Sequence, residues 1–211
     1  MKLRLVLPCL TIAMLGLSVA TAHAATRWDE ASNGDLSNHG LSPTPLTVAV
    51  GSNQVLGTTG SGSQGVDRDY FSFTVPAGAA LTSIVLLPNT AISGSVSFIG
   101  IQPGPQLTVT PSGGGVEQLV GLGHYANDQI GSDLLPAIEV GPVGPLPAGT
   151  YSIWVQDTGG PASYGFDFVI SSVAVSAQAP AVPGWGLLLL GLLLALIYGQ
   201  QAVRLDPTRA S

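Results

Sequence analysis

The chain has one cysteine, Cys9, in 211 residues, so no intrachain disulfide can form and the fold must be held by its own core. Lysine is almost absent: Lys2 is the sole example. Residues 25–180 carry only Arg27 and Arg68 against eleven acids, namely Asp29, Glu30, Asp35, Asp67, Asp69, Glu117, Asp128, Asp133, Glu139, Asp157 and Asp167, a net charge of −9. Nucleic-acid binding is excluded, because phosphates require a basic footprint. Attraction to an anionic lipid surface is excluded for the same reason. Histidine is scarce as well. Beyond residue 24 only His39 and His124 remain, far apart and without cysteine, so zinc has no ligand pair and a nucleophilic triad has no support. Gly60-Ser61-Gly62-Ser63 lacks an apolar strand leading directly into it; it reads as a flexible loop and not as a nucleophile elbow. The expectation is a non-enzymatic protein with no catalytic residue and no organic cofactor.

What is present is concentrated first at the two ends. Lys2 and Arg4 precede an apolar run from Leu5 to Val19, and Ala22-His23-Ala24 has the small-x-small pattern of a cleavage site. Residues 1–24 are therefore read as an export signal cut between Ala24 and Ala25. At the other end, Trp185 to Val203 is uncharged and rich in leucine. As a helix this run of roughly nineteen residues would measure about 28 Å, close to the thickness of a bilayer core. Trp185 and Tyr198 stand near its two ends, where aromatic rings favour the membrane interface. Residues 185–203 are expected to be a transmembrane helix, preceded by a linker and sorting motif at 178–184 and followed by a short cytoplasmic tail at 204–211.

Val182-Pro183-Gly184-Trp185, the Leu-rich run and the closing Arg204 and Arg209 together resemble the tripartite C-terminal sorting signals of the PEP-CTERM and IPTL-CTERM type. The chain departs from that pattern: no Glu lies between two prolines, and Asp206 separates the two arginines. The resemblance implies a Gram-negative envelope or exopolysaccharide setting, with the export machinery, the inner membrane and an exosortase-like membrane protease as partners. After processing, the protein would reach the cell surface or the medium. A plain C-terminal anchor is the alternative.

Between the ends, glycine and proline are frequent and apolar residues come in short runs, the pattern of strands joined by tight turns. Leu46–Val50 alternates. So does Tyr70–Val75, with Phe71, Phe73 and Val75 on one face and Ser72 and Thr74 on the other. Leu81–Leu87, Ser95–Ile101, Leu107–Thr110 and Tyr151–Gln156 are further strand candidates. In the last strand Tyr164, Phe166, Phe168 and Ile170 share one face. This period of two predicts sheets with one buried face. Pro76-Ala77-Gly78 and Pro147-Ala148-Gly149 stand where turns are expected, and 118–138 reads as a short helix or ordered loop. The fold class is all-β, with a lead-in at 25–45 and a sandwich domain at 46–177.

Two segments carry a second resemblance. Asp67-Arg68-Asp69-Tyr70-Phe71-Ser72-Phe73-Thr74-Val75-Pro76-Ala77-Gly78 is similar to the first signature strand of bacterial pre-peptidase C-terminal (PPC) domains. Residues 147–155 with 164–169 look like that family's closing hairpin. The resemblance implies an antiparallel jelly-roll-like β-sandwich, an accessory module of secreted proteins that sometimes binds calcium or polymeric substrates.

Two sets of residues are candidates for binding. Asp67 and Asp69 are hard oxygen ligands on alternate residues, and Asp35 with Asn38 could add more. Calcium takes six to eight oxygens, so two carboxylates alone would hold it weakly. The alternative is that Asp67 caps a turn and Asp69 pairs with Arg68 or a backbone amide. Trp154 and Tyr151, with Trp28 and Tyr125, are the aromatic candidates for stacking on an extracellular polysaccharide. Trp154 is expected to face away from Ile153 and Val155, toward solvent. Protein recovered from its native host is expected to begin at Ala25 and to end near Pro183. Intact mass spectrometry checks both ends, and a species retaining Tyr198 would leave a simple anchor.

Overall fold

The computed structural model describes residues 24–63, 65–94, 96–137, 144–157, 159–173 and 192. The signal segment before Ala24, the motif Val182–Trp185 and the apolar run 185–203 (apart from Leu192) lie outside the described residues, as does the tail. Among the described residues no helix is long and apolar enough to cross a membrane. The chain divides into two compact units, Met1–Val173 and Ala174–Ser211, and all the described strands belong to the first.

That unit is built on one nine-stranded mixed sheet. In chain order the strands are β1 (Ala25–Asp29), β2 (Thr44–Pro45), β3 (Asn53–Gly62), β4 (Gly65–Leu86), β5 (Ala91–Ile92), β6 (Ser97–Pro103), β7 (Gly121–Tyr125), β8 (Leu146–Gln156) and β9 (Ala162–Ser172). A short α-helix, α1 (Glu30–Asn33), follows β1. The main path across the sheet is β1-β3-β9-β4-β8-β6-β7. The fold is all-β, as the alternation predicts. The pairings among β3, β4, β6, β7, β8 and β9 are antiparallel, but β1 joins β3 and β2 joins β4 in parallel. The expectation of a wholly antiparallel arrangement is corrected at those two strands. Both belong to the lead-in, whose chain runs alongside its partners instead of returning through a hairpin.

The organising element is β4, whose 22 residues far exceed an ordinary strand of about 5–6. Arg68–Val75 pair with β8, whereas Ala79–Leu86 pair with β9. Between Val75 and Ala80 the register with β8 slips, Val75 lying opposite Gly149 and Ala80 opposite Pro147. The two Pro-Ala-Gly triplets read as turns in sequence therefore face one another inside long strands. Gly78, at φ 75°, adopts the left-handed backbone that a side chain resists. The extra residues form a bulge that bends the strand and lets it serve both halves of the sheet.

The bend brings the inward rows of β4 and β9 together. Phe71 and Phe73 meet Phe168 at ring-centroid distances of 5.7 and 5.2 Å, and Tyr125 of β7 meets Phe166 at 5.1 Å. Phe71, Phe166 and Phe168 are fully buried, and Tyr164 and Ile170 nearly so. Each such ring contributes about 1.5–3 kcal/mol by leaving water. The alternations read over 70–75 and 164–170 hold residue by residue.

Other expected strands differ. Leu46–Val50 forms no ladder, because the buried Asn53 side chain takes its backbone: Oδ1 accepts from the Ala49 amide (2.9 Å) and Nδ2 donates to the Ala49 carbonyl (2.8 Å). Residues 107–110 lie over the outer face of β8 and β6, where Leu107 and Val109 join Leu119, Tyr70 and Trp154 in a second, smaller core. Gly60–Gly62, read as a loop, pairs with Gly65–Asp67 at the β3–β4 hairpin. Residues 116–137 hold β7 and three short 3-10 turns. Phe168→Ala, which removes the ring shared by Phe71, Phe73 and Phe166, is expected to destabilise the fold by about 3–5 kcal/mol in urea unfolding.

Candidate functional site

The alternation that turns Phe71, Phe73 and Val75 inward also carries Asp69 and Asp67 onto the same face of β4, toward the end of the core. Asp69 is fully buried. Its Oδ2 accepts a hydrogen bond from the Tyr164 hydroxyl at 2.7 Å, while Oδ1 has no partner. An orphaned buried acceptor costs about 1–3 kcal/mol, and more when it is charged. Gly57 makes room for this contact. It stands opposite Tyr164 in the β3–β9 register, and a Cβ there would fall 2.5 Å from the phenol oxygen.

Two more carboxylates arrive from the lead-in. Asp29 caps α1 by accepting from the Ala31 amide at 3.0 Å, which fixes the start of the helix at Glu30. Glu30 then reaches across to the sheet: Oε1 accepts from the Leu36 amide (2.9 Å), and Oε2 accepts from the Thr58 amide (2.7 Å) and hydroxyl (3.1 Å). Asp35 is exposed at the rim. One oxygen each from Glu30, Asp35 and Asp69 lie within 4.8 Å of one another. Oxygens sharing one calcium ion at about 2.3–2.6 Å can be at most about 5 Å apart, so this spacing fits a common ion.

Neither basic side chain among the described residues pairs with the cluster. Arg68, the expected partner of Asp69, points to the opposite side of the strand, where it donates to Gln156 Oε1 at 2.6 Å. Arg27 donates to Asn53 Oδ1. Burial, and then the nearby Glu30 carboxylate, push the Asp69 carboxyl up to about 9. Burial also raises Glu30, in spite of its amide hydrogen bonds, and raises Asp67. The buried Asp157 and the half-buried Asp133 and Asp167 differ, having donors on their oxygens. Asp167 takes Ser52 and the Asn53 amide, Asp133 takes the Ile84 and Leu135 amides, and Asp157 takes Ser97 and the Gly159 amide.

The structure thus separates the two aspartates read together in sequence. Asp69 joins the three-carboxylate cluster. Asp67 stands beside it, half-buried, with Oδ1 accepting from Asn38 Nδ2 at 3.1 Å. Asp35 joins as the sequence allowed. Glu30 was missed, and its one advance signal was the density of acids between Asp29 and Asp35. The aromatic candidates lie elsewhere. Trp154 does face away from Ile153 and Val155, but it is only 5% exposed, stacked on Tyr70 beneath Leu107 and Val109. Tyr151 packs in the main core with its hydroxyl donating to the Pro147 carbonyl. Neither ring offers an open face to a sugar, because residues 104–120 cover the surface that the alternation alone would leave wet. Ala24 is exposed, and β1 begins at Ala25.

With Asp69 raised, the folded chain without cations holds a proton that the unfolded chain releases above about 3.8. Stability should therefore fall as pH climbs from about 4 to about 9, by up to roughly 1.4 kcal/mol per pH unit for this one group. Urea midpoints measured in chelator at pH 5 and pH 8 check this. Asp69→Asn, which cannot ionise, should lose most of the slope.

No protein-family model and no curated protein matches this chain, and the chemistry of the cluster is read from its own geometry.

Proposed function

We propose that the protein is a non-enzymatic, exported domain of a Gram-negative envelope or matrix, with a jelly-roll-like β-sandwich fold that is tied together by a bound calcium ion. The observation that carries the cation is the fully buried Asp69, with a bare Oδ1, set beside Glu30 and Asp35. Glu30, Asp35 and Asp69 would hold the ion, with Asp67 adding negative potential nearby. Backbone carbonyls and water would complete a shell of six to eight oxygens. A hard cation suits a site made of carboxylates alone, whereas zinc and copper favour nitrogen and sulfur. The ion would neutralise charge and link the lead-in, through Glu30 and Asp35, to the long strand β4.

The terminal segments support the location. The basic start, the apolar run and Ala22-His23-Ala24 support export, and Val182–Trp185 with the Leu-rich run supports sorting by an exosortase-like protease. The non-enzymatic reading is supported by the absence of cysteine beyond residue 24 and by the distance in sequence between His39 and His124. The PPC-like reading rests on the two strand signatures, which lie on β4, β8 and β9, although β8 and β9 flank β4 and do not pair as the expected closing hairpin.

Calcium at about a hundred times its Kd should add about 2.7 kcal/mol. For a unit of this size that corresponds to a rise in melting temperature of about 5–10 °C. Scanning calorimetry of the full chain, with calcium and with chelator, reads it directly. Glu30→Gln combined with Asp69→Asn should abolish the rise. An unchanged melting temperature in the native chain would overturn the cation reading.

A further inference from the structure

Asn33 and Gly34 close α1 on the surface of the lead-in, between Glu30 and Asp35. An asparagine followed by glycine is the pair best able to react with itself, because no side chain shields the next amide nitrogen. Gly34 is exposed at φ 89°, and a Cβ built there would meet nothing within 4 Å. The other asparagines lack this opening. Asn38, Asn53, Asn89 and Asn127 precede His39, Gln54, Thr90 and Asp128. Three of them are also held at both ends of the amide: Asn38 by Asp67 and the Arg68 amide, Asn53 by the Ala49 backbone, and Asn127 by the Ile92 backbone.

Two hydrogen bonds keep the reacting atoms of Asn33 and Gly34 apart. The Gly34 N–H donates to the Glu30 carbonyl at 3.1 Å. Asn33 Oδ1 accepts from the Asp29 amide at 3.0 Å, which turns the side chain back along the helix. Both bonds last only while α1 stays formed. Its four residues are far too few for a helix to stand alone. It is tied down by Trp28 Nε1, which donates to the Gly34 carbonyl, and by the Glu30 carboxylate, which accepts from Leu36 and Thr58. That carboxylate shares its surroundings with those of Asp35 and Asp69. Without an ion their mutual repulsion works against the tie.

We infer that Asn33–Gly34 is a self-modification site that a bound cation keeps closed, a gating that rests on the cation reading above. When α1 opens, the Gly34 amide nitrogen attacks Asn33 Cγ and the Cγ–Nδ2 bond breaks. Nδ2 leaves as ammonia, carrying the proton lost from Gly34, and a succinimide ring remains. Water opens the ring at either carbonyl, giving aspartate or isoaspartate. The sum is water consumed and ammonia released, with no oxidant or reductant. Opening at the main-chain carbonyl reroutes the backbone and adds a methylene between Glu30 and Asp35, two of the three proposed ligands. The change runs one way: a chain that has reacted no longer brings Glu30 and Asp35 to the same spacing.

The test incubates the full chain in detergent at mildly alkaline pH, with calcium or with chelator, and maps its peptides by mass spectrometry. In chelator Asn33 should convert well ahead of Asn89, which is also exposed but precedes a β-branched residue. Since conversion requires the opened lead-in, calcium at about a hundred times its Kd should slow it by up to about a hundredfold. Chain aged in chelator and returned to calcium should have lost most of its rise in melting temperature. Asn33→Gln, whose longer side chain cyclises far more slowly, should keep that rise after the same ageing. Conversion of Asn33 no faster than that of Asn89 would overturn the inference. So would equal rates with and without calcium in a chain whose melting temperature calcium raises, or an undiminished rise in converted chain. A melting temperature that calcium leaves unchanged sinks the cation reading and the gating with it, and the chelator arm then decides the modification site alone.

Discussion

The structure depends on the bend in β4. A strand of 22 residues cannot stay flat and still bury both of its halves, and the bulge facing Gly149 resolves this by bending it. On one side of the bend, Phe71, Phe73 and Val75 point inward; on the other, Leu81, Ile84 and Leu86 do so. β9 lies across from the first set and pairs with the second, so its Phe166 and Phe168 seal the space between them. The same inward row, followed back from Phe71, ends in Asp69. The polar cluster is a continuation of the core pattern with a carboxylate in place of a ring.

This continuity explains why the cluster is electrostatically severe. Carboxylates on an exposed rim would be hydrated, and their repulsion would be weak. Asp69 sits where the next residue inward is Phe71, and its dielectric surroundings are those of the core. Tyr164 supplies one hydrogen bond, and Gly57 is the residue that permits it. Glu30 is held by Leu36 and Thr58 and cannot swing away without breaking the tie between α1 and β3. The negative charges are thus fixed close together by contacts that are themselves favourable, the condition under which a buried site takes up a proton or a cation.

The legible parts of the fold were those set by local alternation. Tyr70–Val75 and Tyr164–Ile170 carry a strict period of two with large side chains, and the side chains that face the main core follow it, while the second core buries Tyr70 on the opposite face. Leu46–Val50 shows the same period, yet it forms no ladder because the Asn53 side chain, three residues beyond its end, competes for its backbone. Trp154 was oriented correctly by alternation, but its covering could not be foreseen. The segment over it comes from the irregular stretch after β6, and the packing of Leu107 and Val109 against a face read as wet is a tertiary effect. The site was half legible for a similar reason. Asp67 and Asp69 announce themselves as neighbours in sequence, whereas Glu30 reaches Asp69 only because β1 lies beside β3. Parallel pairing of a short lead-in strand leaves no local signature.

The position of β9 has a consequence for how the chain reaches this state. The last described strand is inserted between β3 and β4, so the centre of the sheet is completed late in the chain. A chain emerging N-terminus first can form the β3–β4 hairpin early, but Phe71 and Phe73 have no partner rings until Phe166 and Phe168 arrive. Contacts of such long sequence separation make folding slow, because loop closure must precede the gain from packing. Until Ser172 is out, the polypeptide remains without its core, a threadable state that a narrow channel can accept. Once β9 has docked, it pairs with the second half of β4 and packs its rings against the first.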